Sequence, residues 1–150
     1  MRKVTECTYE LSAAPETVFP LLCPVREYEW IEGWQCEMVY SESGVAEENC
    51  IFKTPRPPLG TMTWNVNRHE APERIDFATM IPDQMVMRLT ITLERNGKGG
   101  TKIRWRRVFT GLSERGNEEV GRWTEERERE IGRKLEHFLK TGARLGAKRG

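Results

Sequence analysis

A chain of 150 residues with a formal net charge of +1 fits one ordinary domain and carries no global field that would draw it to nucleic acid or to an anionic membrane. Hydrophobic residues make up 37% and charged residues 31%, which is polar for a globular protein, yet five Trp exclude a disordered chain. No stretch approaches the roughly 20 apolar residues of a membrane span.

Val4 to Leu11 alternates as a first strand, and Pro15 with Glu16 opens a short helix through Leu22. Pro20 kinks or shortens that helix, and Cys23 with Pro24 ends it. A second short helical piece is expected from Val25 to Ile31, before Gly33. From Cys36 the period becomes two. Cys36, Met38 and Tyr40 oppose Glu37, Val39 and Ser41; Ser43 and Gly44 turn the chain, and Cys50 and Phe52 continue on the next strand. Met62, Trp64 and Val66 share one face of another strand, and after the Ala71-Pro72 turn Ile75 and Phe77 oppose Asp76. Met85, Met87, Leu89, Ile91 and Leu93 alternate with Arg88, Thr90 and Thr92 as a strand with one wet face. Asn96, Gly97, Gly99 and Gly100 are hairpin residues. Beyond them Ile103, Trp105 and Phe109 oppose Lys102, Arg104 and Arg106.

After Gly111 the spacing changes again. Val120, Trp123, Thr124, Arg127, Ile131, Leu135 and Phe138 form one stripe along a helix that starts at Glu114 or Glu118 and ends near Lys140. Ser113 or Asn117 caps its start and Gly142 stops it. Glu118 with Arg122, Glu125 with Arg129, Glu130 with Lys134 and Glu136 with Lys140 are spaced as i, i+4 ion pairs on its wet face. Residues 143–150, with Arg144, Lys148 and Arg149, form a short basic tail, so the core of the expected domain spans about 4–142 of 1–150.

These elements total seven strands, and at about 4.8 Å per step a sheet nearly 30 Å across. One helix is only about 10 to 12 Å wide with its side chains. The sheet is therefore expected to curl round the helix, and the fit is loose at one end, where Trp, Phe and Met side chains line a pocket.

The order of strand, two short helices, six-stranded meander and long terminal helix resembles the helix-grip fold of the START-like (SRPBCC) superfamily, which has birch pollen allergen-like members. Glu29-Trp30-Ile31-Glu32-Gly33-Trp34, followed by Glu37-Met38-Val39-Tyr40-Ser41, is similar to its bacterial polyketide cyclase-like branch. So is Thr110-Gly111-Leu112-Ser113, leading through Gly116 and Asn117 into the last helix. The resemblance covers about Val4 to Leu139. It implies an α+β fold in which a seven-stranded curved antiparallel sheet wraps a long C-terminal helix, and a cavity for lipids, sterols, hormones or polyketides. It carries no catalytic signature.

Trp64, Trp105 and Trp123 fall on inward positions, as cavity lining or as core. Phe77 joins them, and Met85 and Met87 offer a pliant wall. Alternation puts Arg107 on the inner face of the last strand, and Arg127 interrupts the helical stripe. Two inward guanidiniums would hold a ligand carboxylate or phosphate, unless a bulge turns Arg107 outward or Arg127 reaches the rim. His69, beside Glu70 and before the Ala71-Pro72 turn, reads as solvated, and Tyr28, Tyr40 and Asp76 are the remaining proton carriers.

Cys7, Cys23, Cys36 and Cys50 form no C-x-x-C pair and have no histidine cluster beside them, so they read as buried thiols rather than zinc ligands. Met1 to Leu11 lacks the continuous apolar run of about 7 to 15 residues that a signal peptide needs. A cytoplasmic protein with no metal and no cofactor is the expectation. Three functions follow in order. The first is binding of an apolar or amphipathic small molecule, as carrier or sensor. The second is a cyclase- or aromatase-type enzyme, disfavoured by the paucity of inward acids and bases. The third is a module whose outer stripe of Arg88, Lys102, Arg104 and Arg106 suits an acidic protein partner. No feature encodes an oligomeric state.

Overall fold

The alternating segments become seven antiparallel strands in a computed structural model of the protein, which describes residues 1–146. The strands are β1 (Arg2–Leu11), β2 (Glu37–Tyr40), β3 (Ile51–Arg56), β4 (Gly60–Glu70), β5 (Arg74–Ile81), β6 (Met85–Arg95) and β7 (Thr101–Gly111). Their order in the sheet is β1-β7-β6-β5-β4-β3-β2. The meander thus ends with β7 pairing back onto β1, which places the first and last strands side by side.

Between β1 and β2 lie α1 (Pro15–Val18), continued by a 3-10 turn at Phe19–Leu21, and a second 3-10 turn at Glu27–Glu29. The first matches the expected proline-opened helix: Pro15 occupies its first turn, where the missing N–H is no loss. Pro20 is accommodated because the chain tightens there to 3-10 geometry. The second piece is shorter than expected, a single turn in place of a Val25–Ile31 helix.

The β6–β7 ladder runs from Met85↔Gly111 to Arg95↔Thr101 without a register shift. One face of this pair is therefore uniformly inward: Met85, Met87, Leu89, Ile91 and Leu93 on β6, and Ile103, Trp105 and Phe109 on β7, are all buried. The hairpin between them bends at Gly97 and Gly99, both at positive φ (77° and 82°) where a side chain would be strained. At the other edge the expected alternation of β2 fails. A bulge between Met38 and Tyr40 rotates the strand, and Tyr40 is exposed rather than inward.

The principal correction concerns the C-terminal helix. It is two helices, α2 (Glu114–Arg122) and α3 (Glu125–Thr141), separated at Trp123 and Thr124. Both residues have extended backbones (ψ of 130° and 161°), and the Thr124 side chain caps α3 by accepting from the Arg127 amide. Ser113 caps α2, as expected, and Gly142 ends α3 with φ of 71°. Lys3 of β1 fixes the break: its ammonium donates to the carbonyls of Val120 and Gly121, each at 3.4 Å, and to that of Trp123.

The break resets the phase of the stripe. The buried residues of α3 are Glu128, Gly132 and Leu135, so Glu128 turns inward and Arg127 lies about 100° away, at the margin. Gly132 lets α3 lie against β1, since a Cβ there would come within 2.6 Å of the Tyr9 ring. None of the four expected i, i+4 ion pairs forms among the described residues. Glu119 pairs with Arg122 (3.9 Å), Arg133 with Glu126 (2.5 Å) and with Glu130 (4.0 Å), and Glu136 instead accepts from the Ser12 amide.

The basic tail is described through residue 146, with Lys148 and Arg149 outside the described residues. Arg144 reaches across to Glu32 at 3.3 Å, tying the end of α3 to the loop before β2. No helix among the described residues is long and apolar enough to cross a membrane. The curved sheet wrapped on its terminal helix is the helix-grip arrangement.

Candidate functional site

Between the inner face of the sheet and the broken helix lies a cavity of about 320 Å³. Its sheet wall is aromatic. The Trp64 ring stacks on Phe52 (centroids 5.6 Å apart, planes at 6°) and meets Phe77 edge-on at 5.9 Å. The Trp64 N–H is satisfied by the Thr54 hydroxyl at 2.9 Å, which leaves its apolar surface for the cavity. Met62, Met85, Met87 and Leu89 continue the wall toward β7.

The loop before β2 closes one side with Trp30 and Trp34, whose indole N–H groups donate to the carbonyls of Leu21 (2.9 Å) and Pro24 (2.8 Å). Both tryptophans carry more of the wall than the sequence indicated, because irregular backbone between β1 and β2 hides which side chains turn inward.

Of the residues singled out from the sequence, Trp64, Phe77, Met85, Met87, Trp105, Arg107 and Trp123 all line this cavity. Arg127 does not. Its guanidinium lies over the outer side of the Trp123 ring, 5.5 Å from the centroid, and it lines a separate, open depression of about 480 Å³. Tyr28, Tyr40 and Asp76 are not in the wall either; Asp76 faces outward, held by Arg74 at 2.9 Å. His69 sits on β4 rather than in a turn and packs edge-on against Phe19 at 5.2 Å.

Arg107 faces inward, since β7 has no bulge to turn it away. Its Nε donates to Glu128, whose same oxygen accepts from the Trp123 N–H at 3.0 Å. The guanidinium lies 4.5 Å from the Trp123 ring centroid and 5.9 Å from that of Trp105. Arg107 and Glu128 are 5% and 1% exposed, so the pair is desolvated and its members depend on each other. The second oxygen of Glu128, the Tyr9 hydroxyl and the Trp105 N–H are buried without a hydrogen-bond partner among the described residues. Burial, and then the negative charge of Glu128, hold the Tyr9 hydroxyl protonated well above its usual range.

The expectation of few inward acids is also corrected. Glu27 and Glu119 line the cavity, and Glu128 stands behind Trp123. Glu27 is half-buried on the cavity wall. Desolvation pushes its carboxyl from 4.5 up to about 8, against the opposing pull of the Arg107 charge, so at neutral pH it is largely protonated. Glu119 is held by Arg56 of β3. Neither position is legible from the sequence: Glu27 lies in a one-turn 3-10 segment, and Glu119 lies on α2, whose phase is independent of α3.

Three thiols, Cys7, Cys36 and Cys50, are pushed above their ordinary pKa chiefly by burial, which makes them poor nucleophiles. On the outer face the basic stripe is laced with carboxylates. Arg104 and Arg106 share Glu6 at 2.7 and 3.0 Å, Lys102 meets Glu94 at 3.7 Å, and Arg88 lies 4.0 Å from Asp76.

A family model described as polyketide cyclase / dehydrase and lipid transport matches residues 1–139. No protein with a curated description matches the chain significantly. Among solved structures, protein MLL2253 from Mesorhizobium loti is 16% identical, with a TM-score of 0.68 over 92% of this chain and 97% of that one. Norcoclaurine synthase from Thalictrum flavum is 11% identical, with a TM-score of 0.69 over 94% and 88%. Ara h 8.0201 is 13% identical, with a TM-score of 0.67 over 94% and 99%. At such identities the likeness is one of fold.

Proposed function

We propose, from the premise that the chain belongs to the polyketide cyclase / dehydrase and lipid transport family, that residues 1–150 act as one ligand-binding domain. The domain takes up an apolar or amphipathic small molecule of lipid, sterol or polyketide type, as carrier or sensor. The observation that carries this reading is the cavity itself. Its volume of about 320 Å³ sits at the small end of ligand pockets, and its walls are mainly rings, methionines and aliphatic chains, with the polar groups in the minority. A cavity walled in this way favours an apolar guest, which gains burial at about 25 cal/mol per Å² of apolar surface removed from water. Arg107 and Glu27 are polar handles on its wall, beside the paired Arg56 and Glu119, and Trp64, Phe77, Met85, Met87, Trp105 and Trp123 supply the apolar contact.

Native mass spectrometry of freshly purified protein, followed by solvent extraction, tests the reading. A reproducible bound lipid-like mass is expected, and Trp123→Ala should weaken its retention. Recovery of the protein with no bound species, and no uptake of any added amphiphile, would refute it.

A second reading gains support from Glu27. A carboxyl that stays protonated near neutrality inside an apolar cavity, with a guanidinium on the same wall, is equipped to hand a proton to a carbonyl. The enzyme reading of the cyclase or aromatase kind therefore no longer suffers from a lack of inward acid. Conversion of a poly-ketone substrate that is lost in Glu27→Gln and retained in Arg104→Ala would favour it over simple carriage. The acidic-partner reading draws less support, because the carboxylates beside the outer cations already occupy them.

A further inference from the structure

The open depression outside the cavity shares Pro55, Arg56, Glu119, Trp123 and Ile131 with it, so the Trp123 indole is a wall common to both. The charge of this vestibule is uneven. Arg56, Arg122, Arg127 and Lys134 line it against only two carboxylates, Glu119 and Glu130. Glu119 is taken up by Arg56 and by Arg122 at 3.9 Å, and Glu130 lies 4.0 Å from Arg133. Arg127 and Lys134 are half-buried and pair with no carboxylate among the described residues. Seven residues apart on α3, they lie two turns from each other on one face. Arg127 is further steadied over the Trp123 ring, 5.5 Å from its centroid.

We infer that this vestibule binds the anionic head, a carboxylate or a phosphate, of an amphipathic ligand whose apolar part occupies the cavity, with Arg127 and Lys134 as the head-binding residues. The inference rests on the cavity being a ligand site. The apolar chain enters past Trp123, and the head stays outside, because the two cations on the cavity wall, Arg107 and Arg56, are already bound to Glu128 and Glu119. The two cations left unpaired at the rim are then matched by the ligand, by hydrogen bonds between charged partners that are stronger than neutral ones.

The test is a set of fluorescence titrations of the full chain, at constant ionic strength, with decanol, decanoate, decyl phosphate and inorganic phosphate. Decanoate and decyl phosphate are expected to bind roughly tenfold or more tighter than decanol. Arg127→Gln combined with Lys134→Gln should bring both anions down to the decanol affinity and leave decanol unchanged. Arg104→Gln combined with Arg106→Gln, which removes the same charge from the outer sheet face, should preserve the preference. Glu130→Gln should sharpen it.

Equal affinity for the three ten-carbon probes in the unaltered protein would overturn the inference, as would a preference that survives the Arg127/Lys134 change. Phosphate alone binding as tightly as decyl phosphate would overturn the link to the cavity. No binding of any probe, decanol included, would instead refute the cavity reading and take this inference with it.

Discussion

Arg107 and Glu128 meet inside the protein, 5% and 1% exposed, and neither is stable there alone. Glu128→Leu should therefore lower stability by about 3–5 kcal/mol in denaturant unfolding, because it strands a guanidinium. Arg107→Met added to Glu128→Leu should restore most of that loss, an outcome that a purely steric role for Glu128 would not give. Glu27 contributes one part of the pH dependence. Its carboxyl is raised in the folded state from 4.5 to about 8, so the folded form binds the proton more tightly than the unfolded one. Its contribution to stability is full below about pH 4.5 and is lost as pH rises through about 8. Thermal unfolding of Glu27→Gln across that window should show a flatter decline with pH than the unaltered protein. Arg107 was legible in the sequence because strict alternation fixes direction on an unbulged strand. Glu128 was not, because a charged residue on a charged helix looks like one more wet position until the helix phase is known.

The phase belongs to the element scale. Trp123 and Thr124 read as two members of one continuous stripe, since both fit a period of 3.6 counted from Val120. What stops the helix is a cap at Thr124 together with the Lys3 ammonium on the carbonyls that end α2, and Lys3 comes from the far end of the chain. Thr124→Ala should lower stability by about 1 kcal/mol, the usual worth of such a cap. It should also weaken ligand binding, because the indole of Trp123 is positioned by the break. A loss of stability with no change in affinity would mean that α2 and α3 hold Trp123 without the cap. The strands were legible wherever one face is buried and unbroken, as on β6 and β7. They were not where β2 bulges at the sheet edge, because a bulge is set by pairing with β3 rather than by the residues of β2.

At the scale of the molecule, a broad sheet closes on helices too slender to fill it, and the remainder is a cavity with a cationic rim. A ligand that binds only the folded form must stabilise it. At about 100 times its dissociation constant an amphiphile should add about 2.7 kcal/mol, readable as a rise in the thermal midpoint of several degrees. No rise, with binding seen by fluorescence, would mean that the ligand binds the unfolded chain as well as the folded one. The ion pairs of the outer face mute the stripe that the sequence showed, since strands distant in sequence bring Glu6 against Arg104 and Arg106.

Periodicity alone determined the class of fold, the face of each regular strand and the apolar character of the interior, because burial acts on every second or every third to fourth residue and leaves that mark locally. Which charged groups share the interior was decided only by the tertiary structure. Glu27, Glu119 and Glu128 reach the cavity or its back wall through a 3-10 turn, a helix break and an independent helix phase, each set by contacts with residues far along the chain. The same break moved Arg127 from the interior to the rim. A local pattern records which residues avoid water, but not which partner lets a charge do without it.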